Sequence, residues 1–445
     1  MSEEKIKIRE RISYGLGDFA QNGMFTFISS YLMFFLTDAA KIHLGAAGLI
    51  LLLGRVADAL VSPLVGGRMD QKQRGQGKCR PYMRFFILPE CVLLMLVFMS
   101  PAFSDDQRIL YLGLVYILYS ITYAIVSVAY STLMSLLTRN EKERLKLNLF
   151  KNIGAAAGGM LVTAVTMKIV NLFSVDLRKG FFAAASIYAA VFFLAGMTCV
   201  RNTKERVIPV QPQKLSYIQS FKVTRKSRAW LVLCFINFLE MFYYTMRAQG
   251  VMYYSKYYLR QEWVGAILLA TTQFVTLAVA FIMPWLSSKI GNRGCVRLGN
   301  LIWCTALAGN FFSGRNLKGV LFFGLLSSIG WAAATGILFV MISETIDFSE
   351  QITGYRLDGF ITSTVVFLMK LGTASAGAVS STTLALGGYV ADGPVTKGIE
   401  TSIRLNYIGI PLALSLAVIL LTGLYPVKQP GKEMSGEIEE RRHRD

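Results

Sequence analysis

The sequence predicts an all-α membrane protein of twelve transmembrane helices, and three observations lead there. The 445 residues are 53% hydrophobic, with a mean hydropathy of +0.47. Charged residues make up 16% of the chain, against roughly 25% in a soluble protein. The apolar residues run in long blocks: Met24 to Leu36, Ala46 to Val65, Phe85 to Ser100 and Leu110 to Leu137 are nearly free of charge. A helix rises about 1.5 Å per residue, so about 20 such residues cross a hydrocarbon core of about 30 Å. A water-soluble helix would alternate apolar and polar faces; these blocks do not.

Twelve blocks follow one another over 13–37, 45–66, 83–102, 109–137, 152–172, 180–200, 229–258, 263–286, 295–313, 318–347, 359–390 and 404–426. Six precede and six follow the longest polar connection, 201–228, which carries Pro209, Pro212 and eight basic residues. The expected organisation is therefore a six-helix bundle over 1–200, a linker over 201–228, a second bundle over 229–426 and a tail over 427–445. The halves echo each other. Asp70 to Arg80 and Lys289 to Arg297 are both short, Gly-rich and basic, and each follows the second helix of its half. Two parallel six-helix repeats are the major facilitator arrangement.

A formal charge of +19 invites a nucleic-acid partner, but its distribution argues against one. With the N-terminus placed in the cytoplasm, 32 of the 46 Lys and Arg fall in cytoplasmic segments and 10 in outer loops. This is the positive-inside bias, and it puts both termini in the cytoplasm. The charged segment Ser2 to Arg11 does not read as a signal peptide, and a bacterial inner membrane is the expected location. Six scattered cysteines without a CxxC pair read as apolar filler. The only histidines, His43 and His443, lie outside the blocks. That excludes an intramembrane histidine relay, a His-ligated metal or a hydrolytic triad, so no enzyme activity and no cofactor are expected.

Charges inside the blocks need a reason, because an ionisable group at a helix centre costs at least about 2.5 kcal/mol. They are Asp18, Arg55, Asp58, Glu90, Lys168, Glu240, Arg247 and Lys370. Arg55, Glu240 and Lys370 lie about ten or eleven residues into their helices, about 15 Å deep, at the midplane. Arg55, Asp58 and Ser62 share one face by i, i+3, i+7 spacing, and Asp18 and Asn22 by i, i+4. Oxygen ligands so placed suit sodium or a carboxylate that takes a proton; the alternative is a structural Arg55–Asp58 pair. Glu240 and Arg247, at i, i+7, either pair with each other or serve a site. Glu90 stands beside Pro89, and Lys168 lies near a helix end from which it can snorkel. Tyr119, Tyr123 and Tyr130 on the fourth helix offer faces for a sugar ring, although packing is the commoner use. Gly154, Gly158 and Gly159 on the fifth helix read as a seam for close helix packing.

Several motifs together resemble the glycoside–pentoside–hexuronide:cation symporter family. They are SYGLGDF at 13–19, YLMFFLTD at 31–38, RVADALVSPLVG at 55–66, GQGKCRPY at 75–82, Glu143-Arg144, ETIDFSE at 344–350, GYRLDG at 354–359, and Lys370. The resemblance implies symport of a sugar or glycoside with sodium, lithium or a proton, by alternating access; the chain is expected to act as a monomer. It places Asp58 at the family's first cation carboxylate, Arg55 at the basic residue one turn before it, and Lys370 at the eleventh-helix lysine beside the cation. No metal is implied beyond a transported sodium at Asp58.

The chain departs from the family at several of these positions. The second carboxylate is Ser62, the first-helix sugar-binding aspartate is Asn22, the fourth-helix one is Ser127 with Ala124 nearby, and an arginine falls at Lys151 or Asn152. Asp18, Asn22, Arg55, Tyr123, Ser127, Lys151 and Lys370 are the expected substrate residues; Asp58, Ser62 and Lys370 the coupling residues; Asp70, Arg80, Asp347 and Arg356 the gate. An uncoupled facilitator, or a carrier of a non-sugar solute such as a lysolipid, is the alternative reading.

Overall fold

The computed structural model describes residues 6–71, 77–101, 103–172, 176–207, 215–389 and 395–427. The expected tail and parts of the linker and of the 70–80 turn lie outside the described residues. The helices are α1 (Ile8–Phe34), α2 (Leu44–Gln71), α3 (Arg80–Val97), α4 (Asp105–Leu137), α5 (Glu141–Asn171), α6 (Leu177–Asn202) and α7 (Tyr217–Thr224). They continue as α8 (Arg228–Tyr253), α9 (Glu262–Ser313), α10 (Leu317–Thr335), α11 (Leu338–Thr353), α12 (Asp358–Leu386), α13 (Lys397–Arg404) and α14 (Ile410–Leu424). Wider π-type turns extend α1 through Ala39 and α8 through Tyr258, and join α13 to α14.

Among the described residues, nine helical segments are long and apolar enough to cross a membrane. One of them, within α9, makes two passes. Gly291 breaks it with φ 75°, a conformation that glycine adopts without a side-chain penalty. The polar α1 and the charge-bearing α3 complete the twelve passes. The expected turn at Lys289 to Arg297 is thus a single-residue break, with helix on both sides. The tenth pass is likewise split, at Gly336–Ile337, into α10 and α11. The fifth helix begins eleven residues before the expected 152, because Asn140 Oδ1 accepts the Glu143 amide at 3.2 Å and caps it. Large apolar side chains remain exposed around the bundle, among them Leu52, Leu60, Leu110, Phe274 and Leu420. A bilayer, not water, is the solvent such a surface suits.

In the first half α1 packs on α5 and α6, α3 on α4 and α6, and α2 on α4; in the second, α8 packs on α12 and α14, and α9 on α10 and α14. Glycines permit the closest contacts. A Cβ on Gly154 would sit 2.0 Å from Gly15 O, and one on Gly158 2.2 Å from Phe19 O. The counterpart in the second half is Gly372, 2.3 Å from Phe238 O. Both seams join the first and fifth passes of their half. A buried carboxylate–amide pair joins the first and third passes of each: Gln21 Nε2 donates to Glu90 Oε1 at 3.0 Å, and Asn300 Nδ2 to Glu240 Oε1 at 2.7 Å. These correspondences are what two copies of one six-helix plan produce. The halves meet where α2 and α4 touch α12, and where α5 touches α9 and α11.

Candidate functional site

Helix α2 from the first half and α12 from the second cross at mid-depth, which brings Asp58 and Lys370 together. Lys370 Nζ donates to Asp58 Oδ1 at 2.5 Å and to Ser62 Oγ at 3.0 Å. Ser62 Oγ itself donates to the Asp58 carbonyl at 2.8 Å, one turn back along the helix. Asp58 is buried and Lys370 partly so. The i, i+4 spacing of Asp58 and Ser62 therefore presents two oxygens to one ammonium. In a low-dielectric setting neither charge stands well alone, so any cation that loads Asp58 weakens the hold on Lys370.

Beside the pair lies a recess with about 270 Å³ of empty space, lined by Phe25, Arg55, Asp58, Tyr116, Tyr119 and Tyr123 among others. The three tyrosines stack along α4, with ring centroids 6.3 and 6.0 Å apart. The Tyr119 hydroxyl is buried without a hydrogen-bond partner among the described residues, so it is available to a ligand. Arg55 lies over the Phe25 ring at 5.1 Å. The structural Arg55–Asp58 alternative gives way to Asp58–Lys370, a pair that joins the two halves.

At the end of the bundle bearing the basic turns, a charge network closes the gap between halves. Lys78 is in contact with both Asp70 and Asp358, and the latter lies at 3.3 Å. Asp70 accepts the amides of Gly359 at 3.0 Å and Phe360 at 2.7 Å. Arg356 reaches Asp347 at 2.8 Å, Glu350 at 2.6 Å and Asp358 at 3.0 Å. Arg144 joins Asp347 from the other half at 2.6 Å. Burial alone would lower the Lys78 ammonium, but Asp70 and Asp358 outweigh it and hold its pKa above the ordinary value. The same balance raises Arg356, where burial is outweighed by Asp358 and Asp347. The approach is close enough that a Cβ on Gly359 would meet Gly66 O at 2.3 Å. Between α8 and α12, a recess with about 790 Å³ of empty space is lined by Gln249, Tyr253, Gly377, Ser380 and Tyr389 among others.

The other expected residues fall as follows. Asp18 pairs with Lys151 at 3.4 Å, and Lys151 also lies 3.8 Å from the Phe339 ring centroid across the interface. Asn22 Nδ2 donates to Ala155 O at 2.7 Å, so this amide is engaged in the α1–α5 seam. Ser127 is half-buried on α4, one turn from Tyr123. Of the gate residues, Asp70, Asp347 and Arg356 enter the network. Arg80 is turned into its own half, where Nε donates to Val200 O at 2.9 Å; its neighbour Lys78 makes the crossing instead. Glu240 and Arg247 do not bond each other. Glu240 is held by Asn300 and Tyr243, and Arg247 by Ser327 and Tyr407. Lys78, Ser135, Arg144 and Asp358 were not singled out from sequence, although all but Ser135 lie inside the quoted motifs.

The MFS/sugar transport protein family matches residues 13–429. The isoprimeverose transporter of Lactiplantibacillus pentosus is 29% identical, over 97% of this chain and 91% of its own. A putative glycoside/cation symporter of Escherichia coli, YagG, is 25% identical over 95% of this chain and 92% of its own. A crystal structure of the E. coli fucose:proton symporter superposes with a TM-score of 0.70 at 13% identity, covering 94% of this chain and 98% of that one. With its twelve passes in two halves and a charge pair joining them at mid-depth, the chain belongs to the MFS/sugar transport family of multi-pass membrane transporters.

Proposed function

We propose that this chain is a secondary active transporter, a symporter that couples entry of a sugar or glycoside to a proton or sodium ion by alternating access. The observation that carries the reading is the Asp58–Lys370 pair, which ties the two halves together beside a tyrosine-lined recess. Loading a cation on Asp58 frees Lys370, and a hydroxyl-bearing edge of a sugar enters the recess at Tyr116, Tyr119 and Tyr123. Loading neutralises Asp58 and loosens its tie to Lys370, the contact that joins the halves at mid-depth, so the halves can rock past each other. The names of the relatives, an isoprimeverose transporter and a glycoside/cation symporter, agree with this cargo. The charge bias of the loops puts both termini in the cytoplasm of a bacterial inner membrane. The closed basic end is then the cytoplasmic gate, and the structure is outward-facing. One chain contains both six-helix halves, which supports a monomer as the working unit.

A thermal-shift screen of the purified protein tests this reading. Monosaccharides, disaccharides and aryl glycosides are each added with and without sodium, at two pH values. A ligand at 100 times its Kd adds about 2.7 kcal/mol of apparent stability. A sugar response that strengthens with sodium or with acid supports the reading and names the ion. A response to lysolipids with silence across the sugars would overturn it.

A further inference from the structure

The second half contains a recess that mirrors the one at Asp58. The first-half recess lies between the first, second and fourth passes of its half: α1, α2 and α4. Its counterpart lies mainly between α8, the first pass of α9, and α10, which are the first, second and fourth passes of the second half. It is lined by Tyr244, Arg247, Thr272, Trp303, Ser327 and Tyr407 among others, and spans about 380 Å³ of empty space. In the first half a carboxylate and a lysine meet beside the recess. In the second, among the described residues, the charge on the wall is Arg247 alone.

Arg247 is 7% exposed. Its Nη2 donates to Ser327 Oγ at 3.0 Å and to the Tyr407 hydroxyl at 2.9 Å. The guanidinium lies 4.3 Å from the Tyr407 ring centroid and 5.1 Å from that of Trp303. Nη1 is buried and, among the described residues, has no hydrogen-bond partner. A guanidinium carries five donors in a planar fork that fits a carboxylate, phosphate or sulfonate. Holding one inside a membrane protein with hydroxyls and ring faces but no acid is costly, and such a residue marks a binding role. The free nitrogen is the donor left for the missing acid. The core of the recess leaves about 30 Å³, where roughly 10–15 Å³ houses one water. That admits a group of a few atoms and leaves a sugar ring outside.

We propose that Arg247 and Ser327 form an anion subsite for an acidic group on the transported solute, so that the cargo is an acidic sugar, a uronide or a sulfonated glycoside. This rests on the symporter reading and narrows it. The two mirrored recesses then divide the labour. The coupling cation is held in the first half and the anionic end of the solute in the second.

Titration calorimetry on the purified full chain tests it with matched pairs: methyl glucuronide against methyl glucoside, and methyl galacturonide against methyl galactoside. In the wild type the acidic member of a pair should bind at least tenfold tighter. Arg247→Gln should bring that ratio to about one, and Arg247→Lys, which keeps the charge but not the fork, to an intermediate value. Neutral sugars that bind as well as acidic ones would overturn this proposal and leave the symporter reading standing. If neither member of any pair binds, the sugar reading itself fails. Sodium sulfate that competes as well as the uronide would assign the site to a free anion, again overturning the proposal. The wild-type ratio and the sulfate arm decide even where Arg247→Gln does not fold.

Discussion

Replacing Asp358 by Asn should release the gate at the basic end. Asp358 is fully buried and accepts from Lys78 Nζ at 3.3 Å and Ser135 Oγ at 2.9 Å, both from the opposite half, and from Arg356 in its own. A hydrogen bond to a charged group is worth about 1.5–3 kcal/mol, and two of these bonds cross the interface. The amide keeps part of each, and Lys78 keeps Asp70. A loss of about 2 kcal/mol from the closed state is the reasonable figure, and at about 1.4 kcal/mol per tenfold it raises the open fraction about 30-fold. Cys79 supplies a native reporter beside the network. It is buried, and burial together with Glu205 pushes its thiol pKa up, so the closed state reacts slowly. Alkylation by a membrane-permeant maleimide, followed by peptide mass spectrometry, should be about 30-fold faster at Cys79 in Asp358→Asn. An unchanged rate would refute the idea that this network holds the halves closed.

Other expectations follow from the same contacts. The closed gate should resist alkali. A raised Lys78 pKa means that its stabilising charge is fully present below the ordinary lysine value and is lost only as pH rises beyond it. Cys79 protection, corrected for intrinsic thiolate reactivity, should therefore stay constant from pH 7 to pH 10. Gly154→Val should fail by overpacking, because the first added carbon already meets Gly15 O at 2.0 Å. A loss of about 2 kcal/mol or more, read as a lower melting temperature, is expected. Tyr119→Phe removes a partnerless hydroxyl, so it should leave the melting temperature unchanged and weaken sugar binding severalfold by calorimetry.

Much of the fold was legible because the bilayer dictates it. An apolar block of about 20 residues has few ways to be satisfied other than as a spanning helix, so twelve passes could be read from the chain. Breaks inside a pass were not, because they leave hydropathy untouched. Gly336 interrupts the tenth pass, where its carbonyl accepts from Asn148 Nδ2, whereas the Gly291 break falls between two passes, where a basic turn was expected. Asp58 and Lys370 stood out as charges in apolar helices. Their nearness followed from the family resemblance and not from spacing, since 312 residues separate them and only the crossing of α2 with α12 joins them. The gate shows the same limit on a finer scale. Lys78 and Arg80 are equally basic and two residues apart, but Lys78 sits in the turn before α3 and reaches across the interface, while Arg80 opens α3 and turns toward Val200. Arg247 was visible as a charge, but its lack of an acidic partner is a tertiary fact.

The central claim is that Asp58 is the carboxylate through which a cation drives the sugar. The direct measurement is sugar accumulation in proteoliposomes under an imposed proton or sodium gradient, set beside sugar exchange with no gradient, for the wild type and Asp58→Asn. The account predicts that the wild type accumulates sugar, and that Asp58→Asn loses accumulation while exchange is still measurable. Accumulation by Asp58→Asn to the wild-type level would contradict it.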